Sequence, residues 1–251
     1  MRRRWLRRWR LRDRLISFVV PAHDEEALVG AAVESLQRAA RELGRPFEII
    51  VVDDASTDRT AAVAAAAGAR VVAADVRQIS RARNAGAAAA NGEYLIFMDA
   101  DTIATPAVVR AAVAALDAGA VGGGGAARFD EPVPRWGKAV LWLVLRLNRL
   151  FRVAAGCFVF CRRDAFERVG GFDPALFAGE EIAFTRRLGR LRAGRFVSLR
   201  EHVVTSGRKL RTFSGRQILR ELARVAFLGR RGVRQRESLG IWYGPRRPDV
   251  R

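Results

Sequence analysis

"YLIFMDADT", residues 94–102, decides the reading of this chain. Five apolar or aromatic residues run directly into Asp99-Ala100-Asp101. A strand buried on both faces has such an unbroken apolar run. Carboxylates placed right behind it stand at the strand's carboxyl end, where open α/β sheets hold their ligands. Asp99 and Asp101 are two residues apart, so in extended backbone their side chains point the same way. Hard oxygen ligands at an ordered strand end suit Mg²⁺ or Mn²⁺, above all where substrate phosphates complete the shell. A solvated acidic turn has the same local sequence.

Working outward, the pattern repeats. "LISFVVPAHDEEALVGAAVESLQRAAREL" predicts a buried strand, a Pro-containing loop and an amphipathic helix. Asp24, Glu25 and Glu26 fall near the start of that helix, where acids suit its dipole. "PFEIIVVDDASTDRTAAVAAAAGA" predicts a strand over 47–52, an acidic loop with Ser56 and Thr57 as capping residues, and a helix from about Asp58 to Ala67. "RVVAAD" is a short third strand and "SRARNAGAAAANG" a further helix. Strands alternating with helices imply an α/β fold with a mostly parallel, Rossmann-like sheet. The dinucleotide fingerprint is missing after the first strand. "VGGGGAA", 121–127, is glycine-rich but lacks the Lys-Ser/Thr pair of a phosphate-binding loop.

After Arg128 the pattern changes. "WGKAVLWLVLRLNRLF", 136–151, is an apolar helical stretch, too short and too charged to span a bilayer. A strand at "GCFVFCRR", a short helix and turn at "DAFERVGGF", and helices at "EEIAFTRRLGRL" and "RQILRELARVAFLGRR" complete the expected elements. The chain divides into a basic tail 1–14, a first half 15–128, a second half 129–207 and a basic helical extension 208–251.

The net charge of +19 over 251 residues belongs to the ends. Residues 1–14 carry +7 and residues 208–251 carry +10, which leaves the body at +2. "MRRRWLRRWRLRDRL" interleaves Trp and Leu with Arg, as membrane-surface helices do, and a disordered tail is the alternative reading. Cys157 and Cys161 form neither a disulfide framework nor a zinc pattern and suit a reducing cytosol. The chain is therefore expected in the cytoplasm, at the cytoplasmic face of a membrane if its termini touch lipid.

Four segments in order resemble the GT-A glycosyltransferases of the inverting family 2 type. "VVPAHDEE" resembles that family's first-strand loop, and "VVDDASTDRT" its second-strand signature. "RARNAGAAAANGEYLIFMDAD" resembles its run into the DxD strand, and "GGFDPALFAGEEIAFTRRL" its Gly-Gly-Phe-Asp segment ending in an acidic pair. The resemblance spans roughly residues 15–190. It implies a nucleotide-diphosphate-sugar donor, a divalent cation on Asp101 and Asp99, and Glu181 as general base with Glu180 beside it. Pro21, Ala22, His23, Glu25, Asp53, Asp54, Arg83 and Asn84 would line the nucleotide side. Arg208 and Lys209 in "TSGRKLRTFSGR" would meet the diphosphate, and His202 would complete the metal shell. Two residues depart from the family pattern: His23 stands where Asn is usual, and Glu181 where Asp is usual.

The chemistry explains acids in a basic protein. A departing nucleoside diphosphate builds negative charge, which a cation held by Asp99 and Asp101 would neutralise. An acceptor hydroxyl, expected to be lipid-linked, needs a base for attack. Three rivals remain open from sequence. One is a nucleic-acid-binding protein using the basic termini, which the acidic clusters argue against, so no nucleic acid is expected. The others are a nucleotidyltransferase and an inactive nucleotide-sugar binder on the same fold.

Overall fold

The structure, a computed structural model, describes residues 14–130 and 156–212 without interruption, and positions 134, 136–139, 142, 146, 154, 215–217, 220, 232–236 and 239 besides. The tail 1–13 and most of the helices expected over 136–151 and 216–231 lie outside the described residues. Residues 136–139, 142, 146, 215–217 and 220 are helical. No helix among the described residues is long and apolar enough to cross a membrane.

Eight strands form one sheet in the order β3-β2-β1-β4-β7-β6-β8-β5. They are β1 (Ile16–Ala22), β2 (Phe47–Asp54), β3 (Arg70–Ala74), β4 (Tyr94–Met98), β5 (Thr102–Ile103), β6 (Gly122–Phe129), β7 (Phe158–Arg162) and β8 (Phe196–Thr205). The helices are α1 (Val29–Leu43), α2 (Thr60–Ala66), α3 (Ile79–Ala89), α4 (Pro106–Asp117), α5 (Arg163–Arg168), α6 (Glu180–Arg190) and α7 (Arg208–Thr212). Strands β1 to β4 are parallel, as the strand–helix alternation requires. Beyond β4 the sheet is mixed, since β7 runs antiparallel to both β4 and β6. Strand β6 is parallel to β8. The sheet thus runs unbroken across the change of pattern near Arg128.

Strand β4 lies at the centre, and all five of its residues are buried. Tyr94, Ile96 and Met98 join the core under α1 and α4, while Leu95 and Phe97 join the core on the other face under α3 and α6. This two-sided burial is why the sequence there is unbroken rather than alternating. Phe97 stands in an aromatic cluster with Phe166, Phe172 and Phe184, with ring centroids 4.9 Å apart for Phe97–Phe172 and 4.3 Å for Phe172–Phe184. That cluster fixes the first turns of α6 against the strand carrying the acids.

The glycines of 122–125 lie in strand β6. A Cβ at Gly123 would fall 2.1 Å from the Val197 carbonyl oxygen, and one at Gly124 would fall 2.3 Å from Ala154 Cβ. Only glycine lets β7, β8 and the segment at Ala154 close on this strand.

Two expectations about local structure need correcting. Helix α1 begins at Val29 with no acid in its first turn, so Asp24, Glu25 and Glu26 are not dipole partners of that helix. The loop after β2 binds them instead. Asp24 accepts from the Thr57 N–H at 2.7 Å, and Glu26 accepts from the Arg59 N–H at 3.0 Å. The N–H groups of Asp24 and Glu25 donate to Ser56 Oγ and Thr60 Oγ1. Ser56 and Thr57 therefore join two loops and do not cap α2, which starts at Thr60.

Candidate active site

The two aspartates emerge from the carboxyl end of β4 into a turn held from both sides. The Asp99 N–H donates to the Cys157 carbonyl at the start of β7, and the Ser206 N–H donates to the Asp101 carbonyl at 3.0 Å. Strand β5, directly after Asp101, pairs Thr102 with Thr205. Backbone bonds to β7 and β8 thus set where the acidic turn lies.

Arg83 on α3 is the hub. Its residue is only 2% exposed, and one guanidinium nitrogen donates to Asp99 Oδ1 at 2.8 Å and to the Gly156 carbonyl at 3.0 Å. The other terminal nitrogen donates to Glu180 Oε1 at 2.9 Å. The guanidinium also lies over the Phe172 ring, 5.2 Å from its centroid. Burial alone would lower the Arg83 pKa, but the Asp99 and Glu180 carboxylates outweigh it and raise the pKa. One buried cation therefore ties the turn after β4 to the first residue of α6, which lies 97 positions from Arg83 itself.

The acidic pair at the head of α6 divides. Glu180 is buried on Arg83. Burial and the neighbouring Glu181 push its carboxyl up to about 8, against the pull of Arg83. Glu181 lies over Gly156, where a Cβ would come within 3.2 Å of the Glu181 carboxyl carbon and Oε1. Glu181, Gly156, Arg83, Asp99 and Glu180 thus form one contiguous group at the strand ends.

The second-strand acids also divide. Asp54 is buried, and its carboxylate accepts from the N–H groups of Val76, Arg77 and Gln78 at 2.7, 2.8 and 3.0 Å. It fixes the approach to α3. Asp53 keeps a buried Oδ1 with no hydrogen-bond partner among the described residues. It is the acid of the pair whose geometry suits a ligand donor.

Other expected residues are placed as follows. Pro21 and Ala22 end β1, with Ala22 opposite Asp53. His23 Nδ1 donates to the Asp54 carbonyl at 2.7 Å, which ties its ring to β2. Glu25 forms a two-pronged ion pair with Arg208 at 3.0 and 3.3 Å. The cation expected on a diphosphate is thus held by a carboxylate of the first loop. Arg208 and Lys209 open α7 rather than lying in a loop. Asn84 donates to the Phe172 carbonyl at 2.8 Å and accepts from the Phe172 N–H at 2.9 Å. Its amide holds the Gly170-Gly171 turn, where both glycines have positive φ.

His202 is not brought to the DxD turn. It pairs with Ala126 three residues before Thr205, about 10 Å along β8 at strand rise. Burial and then Arg128 lower its pKa. Among the described residues, no group of three His, Cys, Asp or Glu gathers around one point. Two aspartates with Asp99 35% exposed are still a fitting donor set for a hard cation that takes its other oxygens from phosphate and water.

Sequence reasoning missed two residues. Gly156 seats Glu181 and accepts from Arg83, yet a lone glycine in "AAGCF" carries no signal. Gln78 donates to the carbonyls of Pro174 and Leu176 and so ties α3 to the loop before α6.

A central strand thus carries an acidic turn at its carboxyl end, facing a helix headed by two glutamates. Residues 17–170 match the family described as Glycosyl transferase family 2, and the chain belongs to that family. It is 37% identical over 132 residues to the undecaprenyl-phosphate 4-deoxy-4-formamido-L-arabinose transferase of Pseudomonas aeruginosa (strain LESB58), a match covering 49% of this chain and 39% of that relative. The chain thus spans well under two thirds of that relative's length. The fold is that of the mannosyltransferase PcManGT of Pyrobaculum calidifontis, solved with GDP-Man and Mn²⁺, at TM-score 0.66 and 18% identity over 87% of this chain and 63% of that one. Glucosyl-3-phosphoglycerate synthase of Mycobacterium tuberculosis, solved with Mn²⁺, UDP and glucosyl-3-phosphoglycerate, gives 0.57 and 26% over 88% and 81%.

Proposed function

We propose that the chain is a glycosyltransferase that moves a sugar from a nucleotide-diphosphate sugar to an acceptor hydroxyl, with inversion. The observation that carries this reading is the Arg83 hub, which holds the acidic turn and the acidic helix head in one group. Asp101 and Asp99 would hold Mn²⁺ or Mg²⁺. When bound, the cation would supply positive charge against the diphosphate leaving group. The mycobacterial relative solved with Mn²⁺ and UDP supports that assignment.

Glu181 is the better base of the pair. Glu180 is fixed on Arg83 and buried, whereas Glu181 lies over Gly156 and is only partly buried. Asp53 offers its buried oxygen to a donor N–H or hydroxyl on the nucleotide. The acceptor in this reading is lipid-linked, in keeping with the undecaprenyl-phosphate named for the Pseudomonas relative and with basic termini suited to a membrane face.

A thermal-shift panel of UDP, GDP, CMP and dTDP, each with Mn²⁺, Mg²⁺ or EDTA, tests the reading. One nucleotide should raise the melting temperature only with metal, and Asp101→Ala should abolish the rise. No shift with any of them, beside a salt-dependent shift with a short DNA, would overturn it.

A further inference from the structure

Residues 132–152 contain five Arg or Lys and no Asp or Glu, together with Trp136 and Trp142. Described positions in this stretch are helical at 136–139, 142 and 146. Lys138, Trp142 and Arg146 follow one another at intervals of four, which places them on one helical face. All three are exposed, Trp142 at 60%, and the Arg146 guanidinium stacks 5.1 Å from the Trp142 ring centroid. A large aromatic ring held in water by a cation is costly to leave exposed. Trp flanked by Lys and Arg is the combination that settles at a membrane–water interface, with the ring at headgroup level and the cations on phosphate.

The side away from this stripe is tied to the site. A side chain at Gly137 would meet Leu210 Cδ1 at 2.8 Å, so this turn presses on α7. The Trp136 ring lies against Gly215. Helix α7 begins with Arg208, whose guanidinium reaches Glu25 in the first loop. The stripe is therefore one packed layer from the first loop of the site.

We propose that the Lys138–Trp142–Arg146 face docks on an anionic phospholipid surface. The charge of the stretch favours lipid phosphate, and the exposed indole distinguishes a bilayer from a purely ionic partner. The proposal rests on the glycosyltransferase reading for its purpose, because docking would bring a lipid-linked acceptor to the site. It goes beyond that reading in assigning membrane contact to this face rather than to the basic termini.

The test is co-sedimentation of the full chain with vesicles of phosphatidylcholine alone and of phosphatidylcholine with phosphatidylglycerol. Wild type is compared with Trp142→Ala/Arg146→Gln. Wild type should bind the anionic vesicles, and the double variant should bind them about tenfold more weakly. Equal binding by wild type and variant would overturn the proposal in favour of the termini. Binding to a short duplex DNA but to neither vesicle would overturn it as well. The nucleotide-dependent thermal shift, measured on both proteins, separates the two readings: its loss in wild type would sink the enzyme assignment, whereas vesicle binding reports on the face alone. An unchanged melting temperature in the variant shows that its fold is intact.

Discussion

Arg83 is one cation facing the carboxylates of Asp99 and Glu180, with Glu181 beside them. The Arg83 charge is shared between Asp99 and Glu180, and Glu180 is the most buried of the acids around it. Its folded pKa of about 8 lies above the ordinary 4.5. The native state then keeps a proton that the unfolded chain has released, so stability falls as pH rises from 4.5 to about 8. Glu180→Gln mimics the protonated form. The melting temperature of this variant should depend less on pH across that window than that of wild type, as thermal scans at stepped pH would read. Parallel pH curves would mean that Arg83 holds Glu180 ionised.

At the scale of elements, β4 was readable from its residues because burial on both faces forces an unbroken apolar run that ends abruptly in acid. Strand β6 was not, since "GGGG" reads as a flexible loop until the neighbours that need its missing Cβ atoms are in place. Gly123→Ala would push a methyl toward the Val197 carbonyl and separate β6 from β8. It should cost roughly 3 kcal/mol, the upper range of overpacking, as read by urea denaturation, and a cost near zero would show that β8 can shift. The acidic pairs 53–54 and 180–181 were legible as candidate sites, but the different surroundings of the two acids within each pair were not. Sequence places Asp53 beside Asp54, yet only the loop at 76–78, folded back against the end of β2, decides which of the two is left open. The partners of Asn84 and the position of His202 were not legible for the same reason, because tertiary packing sets them rather than neighbours in the chain.

For the whole molecule, closure at the site end depends on an ion pair between residues 183 positions apart, Glu25 and Arg208. It joins the first loop to the helix after the last strand, and the Glu25 side chain is largely buried within it. Glu25→Gln keeps the shape and removes the charge. Because Arg208 retains some solvent, the loss should be about 1–2 kcal/mol, seen as a lower urea midpoint with an unchanged slope. A midpoint equal to wild type would show that the two ends are held by other contacts.

The opposite end of the sheet has its own fastening. Arg14 bonds to Glu93 and to the Tyr94 hydroxyl, and Tyr94 donates to Asp117, which also receives Arg45. Burial and Asp117 push the Tyr94 phenol up to about 12, so this junction stays uncharged at the phenol throughout the neutral range. It grips the chain at residue 14, at the amino ends of β1 and β4, the sheet end opposite the acidic turn. A fluorophore coupled at residue 93 would therefore stand at the far end of β4 from the acidic turn, clear of any ligand held there.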